Sequence, residues 1–190
     1  MLILKLLAVL AVMSTFSASL ASAAEDQKTC EQHLAAISQS EGVPLGVLYA
    51  VGLTESGKKG TLHPYALNIE GTTVFTQNRK EALAAFQDAR SKGKKLIDLG
   101  CMQVNYHYHG KQFASVSQMM EPESNIIYAA RFLKALRKSE GSWTAAVARY
   151  HASSKVPKEQ KRYVCSVVAN LVATGFGSWT PQARSLCGRS

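Results

Sequence analysis

Residues 42–57, GVPLGVLYAVGLTESG, form an apolar stretch that ends with an acidic residue, a serine and a glycine. Pro44 predicts a helix start, because a proline in the first turn removes no hydrogen bond that the helix needs. The helix reaches Glu55 just before Gly57, where it is expected to end. The side chains predicted to face the core are Leu45, Leu48, Ala50 and Val51. The pattern indicates a buried helix that brings one carboxyl group into an apolar environment.

The rest of the chain predicts further helices and one hairpin. Two short extended stretches within residues 65–75 flank Glu70-Gly71, which is typical of a hairpin turn. Further helices are predicted over about 29–40, 79–91, 122–140, 143–152 and 157–174, with an extended stretch at 96–99. In the second of these helices, Leu83 and Phe86 are expected to face the core. These elements predict a mainly helical α+β fold with a small β-hairpin.

The N-terminal segment predicts export. It carries one early positive charge, then an apolar run interrupted by polar residues, and it ends with the small-residue pattern Ala21-x-Ala23. This is the pattern of a signal peptide, predicted to span residues 1–23 and to be cleaved. The interruptions argue against a permanent membrane anchor. We expect a periplasmic protein in which residues 24–190 form a single domain.

Four cysteines remain in that domain: Cys30, Cys101, Cys165 and Cys187. An even number of cysteines in an exported chain favours disulfide bonds, and four cysteines allow three connectivities. We favour Cys30–Cys101 and Cys165–Cys187, the second because a short loop near the C-terminus closes easily. The other two connectivities remain open at this point.

The formal net charge of +9 predicts a polyanionic partner. The basic residues form short, scattered clusters, and no basic run is interleaved with aromatic residues. Nucleic acid is therefore not the expected partner. Attraction to an acidic polymer of the cell envelope fits this distribution better.

Four segments occur in an order that identifies a family resemblance: residues 42–57, IDLGCMQVN at 97–105, ESNIIYAARFLKAL at 123–136 and AVARYHA at 146–152. Together they resemble the lytic transglycosylases of the soluble-lytic, goose-lysozyme-like superfamily. That family has an E-S pair, then G-x-M-Q, N-I and A-x-Y-N. The resemblance spans about residues 30–152. It implies a lysozyme-like domain that acts on peptidoglycan without a cofactor.

The chain departs from the family pattern at two motif positions and in length. Cys101 replaces the usual leucine before Met-Gln, and His151 replaces the asparagine after the last tyrosine. An insert of about forty residues separates the E-S pair from the Met-Gln motif. This layout resembles a transport-associated subgroup, whose members often occur beside secretion, conjugation or pilus machinery.

The resemblance assigns catalysis to Glu55. Cleavage of a glycosidic bond needs a proton on the departing oxygen, which a carboxyl group supplies only if apolar surroundings raise its pKa. The same residue then acts as base towards the C6 hydroxyl of the substrate, and a 1,6-anhydro ring closes. Asp98 is the one serious second carboxylate. We expect it to hold its loop through hydrogen bonds from nearby N–H groups.

The resemblance also assigns the substrate contacts. Met102 would offer an apolar contact, Gln103 an amide, and Tyr150 a hydroxyl that reaches Glu55 or the acetamido group. The full predicted set is Ser56, Met102, Gln103, Asn105, Tyr150 and His151. Ordinary structural roles stay open for these residues, since a methionine or a tyrosine at helical spacing is more often part of a core.

Three other functions remain possible from the sequence. The first is a lysozyme-type hydrolase, in which water replaces the C6 hydroxyl. The second is a cysteine peptidase that uses Cys101 with His107, His109 or His151. The third is a non-catalytic glycan-binding protein.

No metal site is expected, because His107-x-His109 has no second pair of ligands nearby. We expect Tyr106 and Tyr108 to line a sugar-binding groove instead.

Overall fold

A computed structural model of the protein describes residues 29–151 and 156–189. The helices of these ranges are α1 (Cys30–Glu41), α2 (Leu45–Ser56), α3 (Arg79–Ser91), α4 (Tyr106–His109), α5 (Val116–Met120), α6 (Pro122–Glu140), α7 (Trp143–His151), α8 (Pro157–Ala173) and α9 (Pro181–Cys187). The strands are β1 (Gly57–Lys58), β2 (Thr61–Leu62), β3 (Ala66–Ile69), β4 (Thr72–Phe75), β5 (Ile97–Leu99) and β6 (Val104–Asn105). The mainly helical α+β prediction is confirmed, whereas the predicted signal peptide lies outside the described residues.

Helix α2 carries Glu55 and is covered by two other helices. It packs against α1 and α8, and Leu48 and Val51 are fully buried. A helix that is apolar on all sides is stable only when neighbours cover it, which this arrangement provides. Leu45 is only half-buried, and Pro44 precedes the helix as its N-cap residue instead of occupying the first turn. The helix ends at Ser56, so Glu55 lies in its last turn.

Beside the helices is an antiparallel sheet with strand order β4-β3-β5-β6. The predicted hairpin forms its β3–β4 half, and the turn residues Glu70 and Gly71 have φ angles of 49° and 94°. Positive φ at both turn positions matches a type I′ turn, whose twist suits a two-residue hairpin. The remaining strands add the register that matters for the site, since Asp98 is paired with Asn68 on one side and with Asn105 on the other.

Helix α3 has the predicted bounds but a different inward face. Ala82, Phe86 and Ala89 are buried, whereas Leu83 is half-buried. The small alanines allow α3 to approach its neighbours closely, and Leu83 packs at the margin of the core. The long helix α6 buries Ile126, Ala130 and Leu133 at helical spacing, whereas Leu136 is half-buried.

Both preferred disulfide bonds are present. Cys30, the first residue of α1, is bonded to Cys101, which follows β5. Cys165 in α8 is bonded to Cys187 at the end of α9. The first bond ties α1 to the loop after β5, and the second fixes α9 to α8. In the ranges that the structure describes, no helix is both long and apolar enough to span a membrane.

Candidate active site

A cavity of about 330 Å³ lies between the sheet and the helices. One wall comes from α2 and α7, another from β3, β5 and β6, and a third from aromatic residues of α4 and α6. The lining side chains are Glu55, Asn68, Asp98, Gln103, Val104, Asn105, Tyr108, His109, Tyr128, Phe132, Tyr150 and His151. Carboxyl, amide, hydroxyl and aromatic groups thus face one space, a combination suited to a sugar.

Glu55 presents its carboxyl group to this cavity from the last turn of α2. Its Oε1 accepts a hydrogen bond of 2.5 Å from the hydroxyl of Tyr163 in α8. Burial raises the pKa of Glu55 from 4.5 to about 8; the bond from Tyr163 lowers it, and the charge of Asp98 raises it further. Burial dominates because an apolar environment penalises the ionised form. A carboxyl group with such a pKa carries its proton at neutral pH.

Asp98 contributes the second carboxyl group, from the middle of β5. Its Oδ1 accepts a hydrogen bond of 2.7 Å from Nδ2 of Asn105. Burial raises the pKa of Asp98, and the bond from Asn105 lowers it. The expected hydrogen bond from a nearby N–H group is thus present, and its donor is the side-chain amide of Asn105 on the neighbouring strand. This leaves Asp98 directed into the cavity.

Gln103 and Asn105 both reach the cavity, and their side chains are held by the protein. Gln103 has a φ of 45°, and its Nε2 donates to the carbonyl oxygens of Ala66 and Gly100. Asn105 donates to Asp98, while its Oδ1 caps α4 by accepting from the backbone N–H groups of that helix. Their orientation is therefore set before any ligand binds.

Tyr150 and His151 lie at the end of α7. The hydroxyl of Tyr150 donates to the carbonyl oxygen of Met102 at 2.7 Å. Of the two partners expected for this hydroxyl, Glu55 and the acetamido group, Glu55 is therefore not its acceptor. The ring of His151 is stacked on the ring of Tyr163, with centroids 4.3 Å apart and an interplanar angle of 3°. His151 thus contacts the residue that holds Glu55.

Ser56 and Met102 belong to the core and not to the cavity surface. Ser56 is 2 % exposed, and its hydroxyl donates to the carbonyl oxygen of Cys101 at 2.7 Å. Met102 is fully buried. Neither side chain has surface to offer a sugar, so their predicted contacts with substrate are corrected. Their role is to join α2 to the loop that carries Gln103.

A buried asparagine supports the same loop. Asn125 in α6 accepts from the backbone N–H of Met102 and donates to the carbonyl oxygens of Leu99 and Met119. The N-I motif is visible in the sequence, but the sequence alone assigns its asparagine no role. Tyr163 was not predicted as a site residue, because it lies beyond the four segments that carry the family resemblance. In the sequence it resembles the core-facing residues of α8.

The aromatic wall differs in part from its prediction. Tyr108 lines the cavity and is 69 % exposed. Its ring is therefore accessible for stacking against a ligand. Tyr106 instead packs edge-on against Phe86, so it is not part of the wall. The hydroxyl of Tyr128 lies 2.8 Å from Nδ1 of His109, which fixes both rings.

The geometry also bears on two other chemistries. The peptidase alternative requires a free thiol at Cys101, and the bond to Cys30 removes it. Within residues 29–151 and 156–189, no group of three or more histidine, cysteine, aspartate or glutamate side chains is arranged to hold a metal ion.

The cavity combines a protonated carboxyl group with amide and aromatic side chains. In a mainly helical α+β fold of the lysozyme type, this combination is typical of a glycan-cleaving enzyme. A family model described as the transglycosylase SLT domain matches residues 32–167, more than half of the chain. The chain therefore belongs to the transglycosylase SLT family, whose members are lytic transglycosylases acting on peptidoglycan. The matched range includes Tyr163. Comparisons with curated proteins and with solved structures gave no match.

Proposed function

We propose that the protein cleaves the β-1,4 bond between N-acetylmuramic acid and N-acetylglucosamine, with Glu55 as general acid and then as base. The observation that carries this proposal is the half-buried Glu55 at the cavity, whose carboxyl group has a pKa raised by burial to about 8 and is therefore protonated at neutral pH. Its proton passes to the glycosidic oxygen as the bond to C1 breaks. The resulting carboxylate is stabilised by the hydrogen bond from Tyr163.

In the second half of the reaction, Glu55 takes the proton of the C6 hydroxyl of the muramic acid. The C6 oxygen attacks C1 and closes the 1,6-anhydro ring, and Glu55 is again protonated. The substrate supplies the nucleophile, so the mechanism needs neither an enzyme nucleophile nor an activated water. The half-buried position of Glu55 beside the largely buried Tyr163 supports this role, because restricted access of water favours attack by the C6 hydroxyl.

We assign the direct substrate contacts to Gln103, Asn105, Tyr150 and His151, all of which line the cavity. Gln103 offers its amide oxygen, because both of its N–H groups already donate to backbone carbonyls, and Asn105 offers the one N–H that does not donate to Asp98. His151 offers a ring nitrogen where relatives have an amide. Tyr108 is suited to stack against a sugar ring, because it is exposed at the cavity.

The proposed setting of this activity is the periplasm. Residues 1–23 would direct export and be removed, and residues 24–190 would form the single catalytic domain. The charge of +9 suits an anionic envelope polymer. Service beside a secretion, conjugation or pilus apparatus rests on the family resemblance alone.

Mass analysis of the products tests the reaction. Purified sacculi are treated with the wild type, with Glu55→Gln and with Glu123→Gln, a matched exchange at an exposed position of α6. We expect anhydro-ended muropeptides, which are one water lighter than reducing ends, from the wild type and the control, and none from Glu55→Gln. Reducing ends alone would favour the lysozyme-type hydrolase. An inactive wild type would favour a glycan-binding protein.

A further inference from the structure

Three polar residues form a row across the sheet and face the cavity. Asp98 on β5 is paired with Asn68 on β3 and with Asn105 on β6. Residues directly opposite each other on neighbouring antiparallel strands point to the same face of a sheet. All three line the cavity that holds Glu55. The wall across from α2 is therefore an amide–carboxylate–amide row.

The two flanking amides are fixed by hydrogen bonds of their own. Asn105 donates to Oδ1 of Asp98 at 2.7 Å and caps α4 with its oxygen. The Oδ1 atom of Asn68 accepts from the backbone N–H of Gly71 in the hairpin turn at 2.8 Å. The central carboxylate thus has a defined position and a donor that favours its ionised form.

A carboxylate in this place is costly for the fold. Aspartate is disfavoured within strands, and removal of a charged group from water opposes folding unless something compensates. The single hydrogen bond to Asn105 needs no charge, because an amide oxygen would accept it as well. The contacts of Asp98 within the protein therefore do not explain why this position carries a charge, which points to a role towards a ligand in the cavity.

We propose that Asp98 is a second catalytic group, whose carboxylate lies against the sugar ring and stabilises the positive charge that develops at C1. This inference rests on the proposed role of Glu55. Asp98 forms no covalent bond and transfers no proton. It acts through space on the oxocarbenium-like centre while Glu55 protonates the departing oxygen.

The surroundings of the two carboxyl groups suit this division of roles. Glu55 and Asp98 are both half-buried at the cavity, and burial raises the pKa of Glu55 to about 8, which keeps this acid protonated at neutral pH. Burial raises the pKa of Asp98 as well, and the hydrogen bond that Asn105 donates to its carboxyl group lowers it and favours the anion. Two carboxyl groups that face the same sugar ring, one as acid and one as anion, are a usual arrangement in glycan cleavage. The charge of Asp98 also raises the pKa of Glu55, which couples the two.

Asp98→Asn tests the proposal, with Asp88→Asn as the matched control. Asp88 lies on the exposed face of α3 and pairs with Lys92, so the control removes the same charge far from the cavity. In the test variant the amide oxygen that replaces the carboxylate still accepts from Asn105, so the fold and KM are expected to stay unchanged. We expect kcat to fall roughly 100-fold in the test variant and to stay unchanged in the control. A fall of less than about threefold would overturn the proposal.

Two further readouts separate this inference from the role of Glu55. Carbon-detected NMR titration of the Glu55 carboxyl needs no turnover, and its pKa should drop in Asp98→Asn. An unchanged pKa would show that Asp98 does not act in this cavity. The ratio of anhydro to reducing ends should stay constant in Asp98→Asn, because the anion acts before either attack; a changed ratio would mean that Asp98 handles water instead. Loss of all products in Glu55→Gln tests the proposed function alone.

Discussion

The hydroxyl of Tyr163 lies 2.5 Å from Oε1 of Glu55 and joins two helices that are distant in the sequence. Tyr163 is 5 % exposed, so the bond forms in a largely water-free environment. It favours the ionised carboxyl group, whereas burial and the charge of Asp98 favour the protonated one. The pKa of Glu55 is thus set by opposing effects. Loss of the Tyr163 hydroxyl should raise this pKa, and loss of the Asp98 charge should lower it.

Removal of the hydroxyl in Tyr163→Phe should raise the pKa of Glu55 above about 8, because the donor that lowers it is lost. The alkaline limb of the pH–rate profile should move to higher pH. A hydrogen bond to a charged group is worth about 1.5–3 kcal/mol, so kcat should fall roughly 10- to 100-fold. Phenylalanine keeps the ring against His151, and the melting temperature serves as control. A limb that moves to lower pH would contradict this account.

The raised pKa of Glu55 should cost stability. Folded Glu55 keeps its proton up to about pH 8, whereas an unfolded glutamic acid loses it near 4.5. Between these values the folded state binds more protons, so stability falls as the pH rises. At pH 7 this amounts to about 3 kcal/mol. Glu55→Gln, which cannot ionise, should therefore be more stable than the wild type at pH 7 and little changed at pH 4.

Thermal unfolding at both pH values checks this expectation, with Glu123→Gln as the exposed control. The control should follow the wild type at each pH. An equal shift of the Glu55→Gln melting temperature at both pH values would point to altered packing and would contradict a proton-linked cost.

The long helices were predictable because their ends carry strong signals. Helix α6 begins at Pro122 and is followed by Gly141, and Asn78 caps α3 by accepting a backbone N–H. The short helices α4, α5 and α9 were not predicted, since a helix of one or two turns has too little periodicity to detect. The two-residue strands β1, β2 and β6 have the same limitation. The hairpin was predicted because its turn residues, unlike its strands, have a specific conformational requirement.

Site residues were predicted correctly only where a residue of a sequence motif also lines the cavity. Glu55, Gln103 and Tyr150 reach that space, whereas Ser56 and Met102 are buried one position away from residues that do. A motif gives the order of residues but not which neighbouring side chain is exposed. Contacts between distant segments, such as Tyr163 with Glu55, leave no periodic signal in the sequence.

Replacement of the buried Asn125 should destabilise the loop that carries Gln103. Asn125→Ala leaves the N–H of Met102 and the carbonyl oxygens of Leu99 and Met119 without their partner. Unsatisfied buried groups cost about 1–3 kcal/mol each, so a loss of about 3 kcal/mol or more is expected in urea unfolding. Asn170→Ala, which removes one partly buried bond to Thr54, is the control and should cost about 1 kcal/mol. Equal losses of unfolding free energy in the two variants would show that the three hydrogen bonds of Asn125 do not stabilise this loop.

The two disulfide bonds should differ in their effect on activity more than on stability. They span sequence separations of 71 and 22 residues, for which loop-closure entropy gives about 4 and about 3 kcal/mol. Cys101 also holds Ser56 through its carbonyl oxygen, directly beside Glu55. The double alanine variant at Cys30 and Cys101 should therefore lose most wall-lytic activity while it is still folded. The variant at Cys165 and Cys187 should keep its activity, because Val164 and Val167 are buried in the core and anchor α8 independently. Circular dichroism and lysis assays on the same samples decide this, and equal activity in both variants would show that the Cys30–Cys101 bond does not support the site.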